Sequence, residues 1–202
     1  MFYKLVRLLC KIFYGIFCST EVIGLENVPK EGACIISPNH VSNWDPPFVG
    51  SYAGRVVCFM AKEELFRNPI LGAVIRGVHG FPVKRGTADK TAIKNALKVL
   101  KDGGCLGIFP EGTRSKTGKL GKAESGVSVI AAMAKVPVIP AAVINTEKIF
   151  SAEVKFPRLL LVIGKPMNFN GSIKDKDALS NFAQDIMNEI AKLKIYGENL
   201  TK

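Results

Sequence analysis

Histidine and tryptophan are scarce in this 202-residue chain, at two and one. The histidines, His40 and His79, lie far apart in sequence, and the five cysteines (Cys10, Cys18, Cys34, Cys58 and Cys105) include no Cys-x-x-Cys pair. No metal ligand set can be read from such spacing. An odd number of scattered cysteines, mostly inside apolar runs, fits reduced thiols in a cytosolic setting better than a disulfide framework. The glycine patterns that cradle nucleotide phosphates are missing, as is the Gly-x-Ser-x-Gly elbow of lipid hydrolases. Neither metal nor cofactor is expected. No apolar run reaches the roughly 20 residues that a transmembrane helix needs. Lys4, Arg7 and Lys11 punctuate residues 2–18, and Lys135, Pro137 and Pro140 break residues 127–144. Acidic residues are also few: 17 against 28 Lys and Arg, for a net charge of +11. A field of that sign suits an anionic membrane leaflet, an acidic carrier protein or nucleic acid. Nucleic acid is disfavoured, because no recognisable binding motif is present and the aromatics sit in apolar runs rather than between exposed cations.

With 48% apolar and 22% charged residues, no repeats and no linker-like stretch, the chain reads as one globular domain. In residues 2–18 the cations Lys4, Arg7 and Lys11 recur three and four apart and share one side of a helix. Residues 1–20 are therefore expected to form an amphipathic membrane-anchoring helix. Phe2, Leu5, Leu9, Phe13 and Phe17 would face the acyl region, and the basic stripe the lipid phosphates. Residues 21–202 would form the remaining domain. There, β-rich runs at 33–37, 56–60, 81–84, 105–109, 136–143 and 159–163 alternate with helical segments at 88–101, 124–134 and 176–194. That alternation predicts an α/β fold, a single domain with a mostly parallel or mixed central sheet flanked by helices.

Sites in such sheets form where loops leave the carboxyl ends of strands. Three polar loops qualify: 38–47, 84–87 and 110–121. In the first, His40 and Asp45 would stand about 500° apart on a helix and could not meet. Pro46 disfavours the α conformation at Asp45, so the stretch is expected to turn and bring the carboxylate to the imidazole. A neutral histidine with one nitrogen on a carboxylate presents the other as an acceptor, the arrangement of a general base with its orienter. The third loop, Phe109-Pro110-Glu111-Gly112-Thr113-Arg114, sets a carboxylate, a permissive glycine, a hydroxyl and a guanidinium after a buried strand. Arg114 offers paired donors to a phosphate, and Gly112 allows close backbone approach. The second loop adds Lys84 and Arg85.

Together these segments resemble the glycerolipid acyltransferase family, and within it the bacterial 1-acylglycerol-3-phosphate acyltransferase group. Four motifs appear in order: Asn39-His40 with Asp45, Phe81-Pro82-Val83-Lys84-Arg85, Phe109 to Arg114, and Val136-Pro137-Val138-Ile139-Pro140. His79 before the second motif and Lys84 within it depart from the common pattern. The resemblance implies His40 as the base that deprotonates the acceptor hydroxyl and Asp45 as its partner. It also implies that Arg85, Glu111, Gly112 and Arg114 bind the glycerol phosphate, with Lys84 and Thr113 beside them. The implied reaction carries a fatty acyl chain from acyl-CoA or acyl carrier protein to the sn-2 hydroxyl of 1-acyl-sn-glycerol-3-phosphate on the cytoplasmic side of the membrane. Another lysophospholipid or glycerol 3-phosphate would be an alternative acceptor. A hydrolase would need a nucleophile such as Ser42 or Cys34, which only proximity to His40 suggests.

Overall fold

The computed structural model describes residues 1–84 and 89–201. Its centre is a seven-stranded mixed sheet in the order β1 (Ser19–Ile23), β7 (Arg158–Ile163), β6 (Val138–Ile144), β2 (Cys34–Pro38), β5 (Cys105–Gly107), β3 (Val57–Lys62), β4 (Phe81–Val83). From β6 to β4 all neighbours are parallel, and β7 turns antiparallel to β6 while pairing in parallel with β1. The expected strands are present with ends shifted by one or two residues. β1 is an addition: Thr20 and Glu21 give this edge strand a mixed polarity that periodicity does not flag.

Helices cover both faces. α1 (Phe2–Phe17) and α2 (Asp45–Tyr52) pack one face, where Tyr14, Cys18, Phe48 and Val49 meet Cys34, Ile36, Ile139 and Leu161. α4 (Lys90–Lys101), α5 (Gly126–Ala134) and α6 (Lys176–Leu200) cover the other with Ala96, Leu100, Val127, Ile130, Phe182, Ile186 and Ile190. Burying each large side chain there contributes about 1.5–3 kcal/mol, which is what holds α6 to the sheet. The helix starts are local in origin. Asp89 accepts from the amides of Thr91 and Ala92, and Asp175 from that of Ala178. α3 (Pro69–Gly77) begins on Asn68, which caps Leu71, with Pro69 at the first position where no donor is needed.

α1 is present as expected, but its orientation differs from the simple stripe. Tyr3 donates to the Gly50 carbonyl, Arg7 Nε to Ser51 O at 2.9 Å, and Lys11 lies over the Tyr52 ring. Arg7 and Lys11 thus make contacts with α2. Phe13 is also turned inward, stacked on Trp44 at 4.9 Å. The face left exposed is Leu5, Leu8, Leu9, Ile12 and Ile16. The Gly50 and Ser51 carbonyls at the end of α2 capture Tyr3 and Arg7, a partner set that helical periodicity alone does not reveal. Among the described residues, no helix is long and apolar enough to cross a membrane. All five cysteines are free thiols.

Candidate active site

Because β6, β2, β5, β3 and β4 are parallel, their carboxyl ends open on one edge of the sheet, and the polar loops converge there. The β2–β6 ladder ends at Pro38 opposite Ala141. Asn39 then continues it with its side chain, accepting from Val143 N at 2.7 Å and donating to Val143 O at 3.1 Å. This amide mimics a peptide group and fixes the chain immediately before His40.

His40 Nδ1 lies 2.7 Å from Asp45 Oδ2. The turn between them ends earlier than the sequence suggests: Asp45 is the first residue of α2, and Pro46 and Pro47 occupy its first turn, where missing amides cost nothing. From that position the carboxylate folds back over the turn. Asp45 Oδ2 accepts the amides of Val41 at 2.7 Å and Ser42 at 2.8 Å, and Oδ1 accepts the hydroxyl of Thr146. Asp45 is fully buried and His40 is 7% exposed. The imidazole stacks on Phe109 with ring centres 4.0 Å apart, and Phe59 stacks behind Phe109. With Nδ1 engaged and the ring held by stacking, Nε2 is the nitrogen left to take a proton.

Glu111, expected on the phosphate side, is tied to main chain. Oε1 accepts the amide of His40 at 2.8 Å and Oε2 that of Gly121 at 2.7 Å. Both oxygens clasp main chain. Ser115 N donates to His40 O at 2.8 Å, so the β5 loop grips His40 on both sides of its peptide. Gly112 has φ +64°, a left-handed conformation that glycine adopts without strain, and a Cβ there would approach Glu124 Cγ to 3.3 Å.

His40 lines a cavity of about 670 Å³ together with Thr113, Arg114, Lys116 and Lys62. Much of the remaining lining is apolar: Val6 and Cys10 of α1, Leu71, Val74 and Ile75 of α3, and Val57, Phe59 and Met60 of β3. Lys84 instead lines a neighbouring cavity with Glu111 and Gly112, and Thr113 and Phe109 border both. Arg85 lies outside the described residues. His79 stacks on Tyr3 away from the pair. Thr146 and Phe109 join the site beyond the residues the sequence marks. Thr146 carries no local signal, being 101 residues from Asp45, whereas Phe109 stands in the third motif, where its ring reads only as the end of a buried strand. No group of three or more His, Cys, Asp or Glu residues forms a metal site among the described residues.

A mixed α/β sheet with these motifs at the carboxyl edge of its parallel strands defines an acyl-transferring enzyme. The family model described as Acyltransferase matches residues 19–144. The 1-acyl-sn-glycerol-3-phosphate acyltransferase of Bacillus subtilis (strain 168) is 32% identical over 171 residues, covering 82% of this chain and 82% of the relative. The protein of the same name from Pseudomonas aeruginosa is 35% identical over 60% of this chain and 48% of its own length. The crystal structure of the 1-acyl-sn-glycerophosphate (LPA) acyltransferase PlsC from Thermotoga maritima superposes with a TM-score of 0.77 at 26% identity, over 95% of this chain and 79% of that one. The chain belongs to the acyltransferase family.

Proposed function

We propose that this enzyme transfers a fatty acyl chain from a thioester to the sn-2 hydroxyl of 1-acyl-sn-glycerol-3-phosphate, giving phosphatidic acid. The observation that carries the proposal is the buried His40–Asp45 pair at the wall of an apolar cavity with cations along it. The names of the relatives support the acceptor.

His40 Nε2 takes the hydroxyl proton as the oxygen attacks the thioester carbonyl, and the imidazolium returns that proton to the departing thiolate. Asp45 offsets the charge that develops on the ring. General-base assistance of this kind supplies about 10²–10⁴ in rate. The cavity takes an acyl chain, each buried methylene contributing about 0.8 kcal/mol. Arg114, Lys116 and Lys62 line the cavity with His40 and would bind the acceptor phosphate, with Arg85 and Lys84 as further donors. Glu111, Gly112 and Thr113 shape that side of the site, Glu111 by holding the His40 loop. The donor is acyl-CoA or acyl carrier protein, and no metal or cofactor enters the reaction. The exposed apolar face of α1 and the net charge of +11 support peripheral attachment to an anionic membrane from the cytoplasmic side.

The test is acyl transfer by the purified protein in mixed micelles, following thiol release and phosphatidic acid together, beside His40→Ala. Matched release and product, both abolished in the variant, is the expected result. Thiol release without acylated lipid would indicate a hydrolase, and activity surviving in His40→Ala would overturn the mechanism.

A further inference from the structure

Asp45 is wholly buried and accepts four hydrogen bonds. Three donors belong to its own turn: the His40 ring and the amides of Val41 and Ser42, all on Oδ2. The fourth, the hydroxyl of Thr146 on Oδ1, comes from a different element. Thr146 opens the short 3-10 helix Thr146–Lys148 that follows β6, and its residue is completely buried. β6 runs parallel beside β2, so the carboxyl end of one delivers Thr146 next to the loop that leaves the other. Asn145, in a left-handed conformation at φ +68°, makes the reversal that points the next residue back at the site.

The three donors on Oδ2 all come from one short turn, which can shift as a unit and carry the carboxylate and the imidazole with it. The donor on Oδ1 comes from the end of β6, so it ties the carboxylate to the sheet and satisfies an oxygen that burial would otherwise leave unpaired. The geometry points to Thr146 as a positioning residue for the reaction: it anchors Asp45, and through Asp45 the plane and tautomer of His40. This inference rests on His40 being the base. The hydroxyl also tunes the base. Its dipole turns a positive end toward the carboxylate, which weakens the pull of Asp45 on an imidazolium. Without it, Asp45 attracts an imidazolium more strongly. The other ionisable groups around the pair are Glu111 on the β5 loop, Tyr14 on α1, and Arg114, Lys116 and Lys62 along the cavity. A substitution at Thr146 alters none of them.

The experiment compares wild type, Thr146→Val, Thr146→Ser and His40→Ala in mixed micelles. The acceptor is 1-acyl-glycerol-3-phosphate, and the donor is whichever of acyl-CoA and acyl carrier protein the wild type uses. Each variant is also followed by thermal melting. Thr146→Val keeps the shape and removes the donor. Its kcat is expected to fall about 10- to 100-fold, because a small displacement of a reacting group has that cost. Its KM for the acceptor should stay within about twofold, since no binding group is touched. The midpoint of the acid limb of its kcat/KM profile should move up. Thr146→Ser, which restores the hydroxyl, should return both kcat and the midpoint to near wild type. Wild-type kcat and midpoint in Thr146→Val, with His40→Ala inactive, would overturn the assignment of Thr146 alone. A loss that Ser does not rescue, or one that follows a lowered melting temperature with the midpoint unmoved, would reduce Thr146 to a packing residue. Activity retained in His40→Ala would overturn both readings together.

Discussion

Removal of the Glu111 carboxylate separates a clasp from a substrate ligand. In Glu111→Ala the amides of His40 and Gly121 lose acceptors at 2.8 and 2.7 Å. A hydrogen bond to a charged group contributes about 1.5–3 kcal/mol net. The His40 bond is buried and counts in full, whereas Gly121 is exposed, so water replaces much of its bond. The sum is about 3 kcal/mol. For a chain of this length each kcal/mol moves the melting temperature by roughly 2–4 °C, so a fall of roughly 6–12 °C is expected. His40 loses one of its two main-chain anchors and is misplaced for proton transfer, so kcat falls while the acceptor KM changes by about twofold or less. Glu111→Gln, with one oxygen for two amides, should fall between. The assay is thermal melting in micelles alongside steady-state kinetics over a range of acceptor concentrations. An unchanged melting temperature combined with a large rise in acceptor KM would refute the clasp and return Glu111 to the phosphate.

Asn39→Ala leaves both polar groups of Val143 unpaired in the interior and should cost about 2–4 kcal/mol, read as a fall in the denaturation midpoint. Leu8→Lys with Ile12→Lys alters only the outward face of α1; stability should change by about 0.5 kcal/mol or less per site, while sedimentation with anionic vesicles is lost. Val78→Trp narrows the cavity that His40 lines, and the product mixture should move toward shorter acyl chains on lipid analysis. Burial raises the thiol pKa of Cys10, Cys18 and Cys58, and the hydrogen bond with Cys34 together with burial raises that of Cys105. The thiolate fraction at neutral pH is correspondingly small, so alkylation of these four thiols in the folded protein should be slow and should accelerate sharply in denaturant.

What the sequence determined by itself was local. The period of α4 and α6, the caps at Asp89 and Asp175, the buried strands and the one-turn closeness of His40 and Asp45 all depend on residues a few positions apart. Backbone sterics and hydrogen bonding over one turn are enough to specify them. What the tertiary structure decided was everything that required two distant segments to meet. Arg7 turned to the Ser51 carbonyl, Glu111 to the amide of His40, and Thr146 to Asp45 across 101 positions. Only the order of the strands settles such meetings. Parallel β6 and β5 flank β2, so their loops emerge beside His40 however far away they lie in the chain. A buried carboxylate or amide takes the nearest donor or acceptor that this arrangement supplies, because leaving it unpaired costs more than any local preference.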